Sequence, residues 1–263
     1  MKIVVFKGGL GNQLFQYAFY KYLSRKDETF YFYNDAWYNF DKMVLNRIIQ
    51  NLLHFFKSSV LKYLSNSNPL WLTLYHWKIY VVGSVEYQYP NHLFQAGYFL
   101  DKKYYDENTI DFKHLLLSEK NQSLLKDIQN SNSVGVHIRR GDYMTKQNLV
   151  IFGNICTQKY YHDAIRIITE KVNDAVFYVF SDDISWVQTH LDIPNAVYVN
   201  WNTGESSIYD LYLMSSCKYN IIANSTFSYW AARLNKKTNM VIYPSKWYNT
   251  FTPDIFPESW CGI

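Results

Sequence analysis

Short apolar runs alternate along the chain with segments whose apolar residues recur at helical spacing. The runs predict strands at residues 3–6, 134–138, 176–180, 219–223 and 241–243. The helical spacing predicts helices at residues 14–25, 160–171, 184–191, 206–217 and 229–234. This alternation is typical of an α/β protein with parallel strands.

Residues 33–113 interrupt the alternation, because they are rich in Tyr, Trp, Phe, Asn and Lys and show weak periodicity. A polar Asn/Ser cluster at 130–133 precedes the next strand and predicts a boundary. We therefore predict two lobes with a cleft between them, an N-terminal lobe at 1–130 and a C-terminal lobe at 131–263. Residues 51–64 are amphipathic and basic, which fits a surface helix packed on its domain or a segment resting on a membrane or lipid-linked substrate.

The composition indicates a folded protein, since 48% of the 263 residues are hydrophobic and 18% are charged. The 19% of aromatic residues fits an aromatic core or stacking on sugars. The net charge of +4 comes without a basic run, so we expect no nucleic-acid partner. An anionic small ligand and an anionic membrane surface both remain compatible with it.

The three cysteines, Cys156, Cys217 and Cys261, lie far apart and lack the spacing of a metal site. They predict reduced thiols in a reducing compartment. The first residues read as a strand, and no apolar run has the length of a membrane span, so we expect a soluble intracellular protein.

A glycine-rich turn at 8–11 follows the first predicted strand, and Asn12 and Gln13 follow the turn. Glycines allow a tight turn, and the helix start beyond it favours an anion or a hydroxyl. Leu14 replaces the third glycine of a dinucleotide fingerprint, and no suitably placed strand with a terminal acid follows about 20 residues on, which disfavours a dehydrogenase.

A second polar cluster, residues 137–142, ends the strand at 134–138. Alternation places His137 and Arg139 on one face of that strand. An arginine fork suits a diphosphate, because it offers paired donors and keeps its charge. The alternative reading, a surface ion pair with Asp142, is the one we adopt for Arg140.

A third cluster, Asp182 and Asp183, follows the strand at 176–180. These carboxylates can bond nucleotide N–H groups and hydroxyls, bind a metal, or cap the next helix, and we expect at least one of them to be a cap. The absence of any D-x-D triplet from the sequence argues against a metal-bridged nucleotide-sugar site.

The fourth cluster lies between the strand at 219–223 and the following helix. It consists of Asn224, Ser225, Thr226 and Phe227. Hydroxyls and free N–H groups at a helix start form an anion cradle, and Asn224 or Ser225 can also cap the helix. Upstream, Asp210 lies one turn into a predicted helix, where it can bond a guanine edge or a ribose hydroxyl.

Taken together, these segments resemble the α-1,2-fucosyltransferase family (glycosyltransferase family 11-like), in its bacterial branch. The most specific matching stretches are VGVHIRRGDY at 134–143 and DLYLMSSCKYNIIANSTFSYWAARLN at 210–235. Further matching stretches are GGLGNQLFQYA at 8–18, FQAGYFLDKKYY at 94–105, GNICTQKYY at 153–161, FYVFSDDISW at 177–186 and VIYPSKWY at 241–248. One departure is Phe99, which stands where the family pattern has Trp.

The resemblance implies a two-lobed glycosyltransferase fold of the B type, with two Rossmann-like domains facing a cleft. It also implies metal-independent, inverting transfer from GDP-β-L-fucose to the 2-hydroxyl of a terminal galactose, with no cofactor. By this resemblance Arg139 holds the β-phosphate, Asn12 faces the reacting sugar and Asp210 contacts the nucleoside. The remaining donor-side residues are His137, Asp182, Asn224, Ser225, Thr226 and Phe227.

On the acceptor side we place Gln13 and Glu205, and the candidates for a general base are Asp142, slightly preferred, and Glu205. The expected acceptor is a galactose-containing oligosaccharide or lipid-linked glycan, as in O-antigen or capsule synthesis. We expect a cytoplasmic enzyme that can associate with the inner face of the membrane. The alternatives are a transferase that uses another nucleotide sugar and a non-catalytic glycan-binding protein.

Overall fold

The computed structural model describes residues 2–33, 77, 80–82, 92–105, 110, 112 and 115–263. The chain divides into two compact units, Met1–Ile110 and Asp111–Ile263. The division falls earlier in the chain than the boundary predicted at 130/131, because the helix Glu119–Asn130 packs against elements of the second unit. The amphipathic segment predicted at 51–64 lies outside the described residues.

The first unit contains a parallel sheet of four strands in the order β2-β1-β4-β3. Its elements are β1 (Lys2–Phe6), α1 (Leu10–Ser24), β2 (Thr29–Tyr33), β3 (Tyr80–Val82) and β4 (Phe94–Ala96). The central strand β1 is apolar on both faces, as expected for a parallel strand covered on both sides.

Helix α1 begins at Leu10, four residues before the predicted start, because Gly9 takes the N-cap position and its carbonyl accepts the Gln13 N–H. The turn before it requires a glycine at Gly8, whose φ is +79°. A Cβ atom there would also meet Asn12 Nδ2 at 2.9 Å. Asn12 and Gln13 therefore belong to the first turn of α1.

Phe99, the departure from the family pattern, is a core residue of the first unit. Its ring stacks on Phe19 with the centroids 3.8 Å apart, and only 1% of the residue is exposed. The Phe99 side chain therefore belongs to the core and is not accessible to an acceptor in this conformation.

The second unit contains a parallel sheet of six strands in the order β10-β9-β8-β5-β6-β7. Its elements are α2 (Glu119–Asn130), β5 (Asn132–Ile138), α3 (Lys146–Phe152), α4 (Gln158–Lys171), β6 (Ala175–Ser181), α5 (Ile184–His190), β7 (Ala196–Val199), α6 (Ser207–Ser215), β8 (Tyr219–Ile221), α7 (Thr226–Arg233), β9 (Met240–Tyr243) and β10 (Cys261–Gly262). The predicted α/β class with parallel strands is confirmed.

The core of the second unit forms around β5 and β6, whose apolar side chains are almost fully buried. Aromatic residues supply much of the buried volume, including Trp230, Trp247 and Tyr229. The Tyr229 hydroxyl donates to the Ile255 carbonyl at 2.9 Å, which attaches the C-terminal segment to α7. Much of the aromatic content is therefore used for packing, as the composition allowed.

Candidate functional site

The strand order of the second unit places its polar clusters at one edge of the sheet. The chain runs from β5 outward to β6 and β7, and then returns to the other side of β5 to form β8. This reversal is a topological switch point. Open α/β sheets bind their ligands at such a point, outside the carboxyl ends of the strands. The segments after β5, β6 and β8 meet there, as the sequence predicted.

His137 lies at this switch point, buried on the face of β5 opposite Ile138. Its ring is 5.2 Å from that of Phe227, which comes from the β8–α7 segment. Only 6% of the residue is exposed, and within the described part of the chain Nδ1 has no hydrogen-bond partner. Burial, helped by the charge of Arg139, lowers the pKa of His137 to about 3, so the imidazole is neutral at physiological pH.

The buried neutral imidazole predicts acid sensitivity. Between about pH 6.5 and 3 the unfolded chain binds a proton at His137 that the folded protein excludes, so stability should fall as pH falls through this window. One such proton changes the free energy of unfolding by about 1.4 kcal/mol per pH unit. Urea unfolding at several pH values should show a shallower acid slope for His137→Gln than for wild type.

The exposed His162 supplies the control, since His162→Gln should leave that slope unchanged. An equal slope in wild type and His137→Gln would show that the unfolded and folded chains bind protons alike at position 137.

Arg139 lies between two carboxylates. Its NH1 contacts Asp182 Oδ2 at 2.8 Å, and its NH2 contacts Asp142 Oδ1 at 2.6 Å. About a third of the side chain, 35%, is exposed. The guanidinium carbon also lies 5.6 Å from the centre of the Tyr143 ring, and the Tyr143 hydroxyl donates to the Asn224 carbonyl at 2.9 Å. Tyr143 therefore links Arg139 to the segment after β8.

Arg140 points to a different partner from the one predicted. Its Nε contacts Asp183 Oδ2 at 3.1 Å, and its guanidinium carbon lies 3.6 Å from the centre of the Trp186 ring. The predicted Arg140–Asp142 pair is therefore wrong: Asp142 pairs with Arg139. The structural role assigned to Arg140 is retained, with Asp183 and Trp186 as its partners.

Asp182 and Asp183 have separate roles. Asp183 caps α5, because its Oδ1 accepts the Trp186 N–H at 3.1 Å, which confirms that one of the pair is a cap. Asp182 contacts the arginine segment, with Oδ1 accepting the Arg140 backbone N–H at 2.9 Å and Oδ2 on Arg139. Both carboxylate oxygens of Asp182 are therefore engaged by the arginine segment.

The segment after β8 leads directly into α7, which begins at Thr226, three residues earlier than predicted. Ser225 occupies the N-cap position without a side-chain cap bond, so the predicted capping by its hydroxyl is wrong. Asn224 is 2% exposed and donates from Nδ2 to the Trp247 carbonyl at 3.0 Å, so it holds the loop and does not cap the helix. The N-terminus of α7, with Thr226 and Phe227 in its first turn, keeps the character of an anion cradle.

Asp210 lies in the first turn of α6, within a network of amides that sequence reasoning missed. Its Oδ1 accepts from Asn202 Nδ2 at 2.6 Å, and Asn202 in turn exchanges hydrogen bonds with Asn121. Trp201 Nε1 donates to Asn121 Oδ1 at 2.8 Å. Burial raises the pKa of Asp210 to about 7, although the Asn202 hydrogen bond opposes the shift.

The remaining predicted residues lie elsewhere. Glu205 is exposed on the 3-10 turn Gly204–Ser206 before α6. Asn12 and Gln13 belong to the first unit, where Asn12 is half-buried against Gly8. Gln13 is fully buried, and its Nε2 donates to the Gly8 carbonyl at 2.7 Å. This hydrogen bond stabilises the glycine-rich turn. An acceptor contact by Gln13 would require that side chain to move.

The network around Asp210 had no clear sequence signal. Asn121 lies about 80 residues before Trp201 and Asn202 in the chain, and it meets them only through packing of α2 against α6. Tyr143 does fall within the matching stretch at 134–143, which could have identified it. In the part of the chain that the structure describes, no group of three His, Cys, Asp or Glu residues has the arrangement of a metal site.

Comparisons with known proteins identify relatives over most of the chain. The model of Glycosyl transferase family 11 matches residues 75–263. The O-antigen biosynthesis glycosyltransferase WbnK of Escherichia coli is 32% identical over 280 residues, covering 92% of this chain and 93% of that protein. An alpha-1,2-colitosyltransferase of Escherichia coli is 35% identical over 196 residues, covering 69% of this chain and 63% of that protein.

Other relatives are less similar in sequence. Galactoside alpha-(1,2)-fucosyltransferase 2 of Pongo pygmaeus is 28% identical over 163 residues, covering 57% of this chain and 48% of that protein. The crystal structure of the fucosyltransferase NodZ from Bradyrhizobium aligns with a TM-score of 0.54 at 12% identity, covering 91% of this chain and 94% of that one. This structural likeness confirms the predicted glycosyltransferase fold of the B type. Among the described helices, none has the length and apolar character needed to cross a membrane.

Proposed function

Because the chain belongs to glycosyl transferase family 11, we propose that it transfers L-fucose from GDP-β-L-fucose to the 2-hydroxyl of a terminal galactose. The transfer inverts the anomeric configuration and serves the synthesis of a surface polysaccharide. That the chain is a glycosyltransferase of the fucosyltransferase type follows from the family; the donor, the acceptor and the stereochemistry are the proposal.

The observation that supports a nucleoside diphosphate donor is the set of groups at the β5–β8 switch point. Arg139 supplies a permanent positive charge, and the N-terminus of α7 supplies the positive end of a helix dipole without a side-chain cap. His137 adds a buried nitrogen that lacks a hydrogen-bond partner among the described residues. Such a set of groups favours a ligand with phosphate oxygens.

In the proposed reaction the acceptor oxygen forms a bond to the anomeric carbon of fucose. The bond from that carbon to the β-phosphate oxygen breaks, and its electron pair leaves with GDP. Arg139 and the start of α7 stabilise the negative charge that develops on the diphosphate. The acceptor hydroxyl loses its proton to a base, for which Asp142 and Glu205 are the candidates.

At the other end of the donor, Asp210 is suited to bind the nucleoside. Its Oδ1 is engaged by Asn202, and when ionised the carboxylate can accept further N–H groups, as a guanine edge offers. The network of Asn121 and Asn202 fixes the orientation of this carboxylate.

Two other donors and one other class of protein remain as alternatives. A colitosyl donor deserves a direct comparison because the 35% identical relative is an alpha-1,2-colitosyltransferase. A further nucleotide sugar is the second possibility, and a non-catalytic glycan-binding protein is the third. The glycan-binding protein would bind oligosaccharide without GDP, which leaves the groups around Arg139 without a role.

The proposal is tested by incubating the purified protein with GDP-fucose and a panel of galactosides that includes lactose. We expect fucosylated product by mass spectrometry, at the same rate with and without EDTA, because the proposed charge stabilisation comes from Arg139 and α7. Loss of product in EDTA, restored by a divalent cation, would contradict metal independence. Product from GDP-colitose or another nucleotide sugar, and none from GDP-fucose, would contradict the donor.

We also propose that the acceptor is lipid-linked and that the enzyme works at the cytoplasmic face of the membrane. The involvement of WbnK in O-antigen biosynthesis supports this proposal. Cell fractionation should recover part of the protein with membranes under low salt and release it at high salt. Recovery in the soluble fraction at every ionic strength would contradict membrane association.

A further inference from the structure

The two carboxylates that contact Arg139 differ in how firmly they are held. Asp182 is 27% exposed at its side chain and uses both oxygens, Oδ2 on Arg139 NH1 and Oδ1 on the Arg140 backbone N–H. The Asp142 side chain is 57% exposed, and within the described part of the chain its carboxylate has one contact, that of Oδ1 with Arg139 NH2. An exposed, singly bonded ion pair contributes little to stability, whereas a two-point contact fixes geometry.

The backbone at Gly141 leaves room for the Asp182 carboxylate because glycine has no Cβ atom. A Cβ atom at Gly141 would lie 2.5 Å from Asp182 Oδ2 and 3.2 Å from its Cγ, so a larger residue at 141 would displace the carboxylate. Asp182 comes from the end of β6 and Arg139 from the end of β5, and these strands pair in register up to Ile138 and Ser181. The contact therefore rests on two neighbouring strands of the sheet.

A diphosphate can bond Arg139 with two parallel N–H groups only if part of the guanidinium is free. NH1 is engaged by Asp182, and NH2 is covered by Asp142. NH2 carries a second N–H, but a diphosphate on it would lie close to the Asp142 carboxylate. Repulsion between these two negative groups favours release of one of them when the other binds. The exposed Asp142, on the 3-10 turn Gly141–Met144, is the one whose release costs less.

We propose that these two carboxylates act on donor binding in opposite directions. Asp182 is a positioning residue that holds Arg139 toward the donor, and Asp142 occupies the place of the diphosphate until the donor displaces it. Displacement frees the Asp142 carboxylate, which is one of the two candidates for the base in the proposed reaction. This inference rests on the proposed GDP-fucose site.

The test measures GDP binding by calorimetry for wild type and single variants at low ionic strength. Asp142→Asn should bind GDP about two- to fivefold more tightly, because an exposed competing ion pair has been removed. Asp182→Asn should bind GDP about 10- to 100-fold more weakly, by analogy with loss of a partner that orients a ligand-binding group. Opposite signs at one guanidinium are not expected if both residues only support the fold.

Asp183→Asn is the matched control, because Asp183 is the adjacent carboxylate but pairs with Arg140. It should leave GDP affinity unchanged and lower the melting temperature. If Asp182→Asn does not fold, Gly141→Ala provides a second variant that displaces Asp182 without changing any charge, and it should also weaken GDP binding.

Weaker or unchanged GDP binding in Asp142→Asn would overturn the displacement, and unchanged binding in Asp182→Asn or Gly141→Ala would overturn the positioning role. Absence of GDP binding in the wild type would instead reject the proposed donor site. The failure of this inference and the failure of the proposed function are therefore distinguishable.

Discussion

Replacing Arg139 by alanine is expected to lower kcat for fucosyl transfer by about 10²- to 10³-fold, a loss of about 2.7–4 kcal/mol, by analogy with removal of an oxyanion-hole donor. The reason is that charge develops on the departing diphosphate, and Arg139 is the cation that the structure places at the β5–β8 switch point. Initial rates at saturating GDP-fucose and acceptor would measure the effect. Arg139→Lys should recover only part of the rate, because an ammonium cannot supply the paired donors of a guanidinium.

Arg140→Ala is the control for this prediction. Arg140 lies next in the chain, but it pairs with Asp183 and stacks on Trp186, so its loss should lower the melting temperature and leave kcat within a few-fold of wild type. Both variants should keep the far-ultraviolet circular dichroism of the folded protein. A rate for Arg139→Ala close to that of wild type would show that the diphosphate is stabilised elsewhere.

Replacing Asp210 by asparagine is expected to weaken GDP binding by about 10- to 150-fold, the equivalent of one hydrogen bond to a charged group, about 1.5–3 kcal/mol. The proposed cause is loss of a carboxylate that accepts N–H groups from guanine. Inosine diphosphate, which lacks the 2-amino group, provides the sharper measurement. Wild type should prefer GDP to inosine diphosphate, and Asp210→Asn should lose most of this preference.

The pH dependence of GDP binding provides a second readout for Asp210. Its pKa is raised to about 7, so the carboxyl is protonated below that pH and ionises as pH rises through it. GDP affinity in wild type should therefore increase from pH 6 to pH 8, and Asp210→Asn should remove this dependence. Glu119→Gln, at an exposed carboxylate in the first turn of α2, should retain both the base preference and the pH dependence. A base preference unchanged in Asp210→Asn would place the nucleoside elsewhere.

Local patterns in the sequence predicted the strands and helices around the site, with errors mainly at the helix starts. Helices α1 and α7 both begin several residues earlier than predicted. In each case polar or small residues interrupt the apolar positions of the first turn, residues 11–13 in α1 and Thr226 and Ser228 in α7, so periodicity gave no sign that the segment was already helical. The turn residue Ser225 looked like a cap by type, but its side chain makes no cap bond.

The partners of the charged side chains were harder to predict than the positions of those side chains in the fold. The cluster at 137–142 was correctly placed at a strand end, yet Arg140 pairs with Asp183 and not with Asp142, the partner predicted from nearness in sequence. Asp182 and Asp183 reach the two arginines from the neighbouring strand, which only the β5–β6 register brings close. The network of Asp210 depends in the same way on contact between α2 and α6.

By itself the sequence determined the fold class, the family and the polar segments that end the strands, because these depend on local spacing and on residue types that occur together. The tertiary structure decided which charges meet, which amides are buried and which carboxyl has a raised pKa. These properties depend on distances and on exclusion of water. Gln13 and Asn224 illustrate the difference: their amides suited a binding site, but packing turned both toward backbone carbonyls beneath the surface.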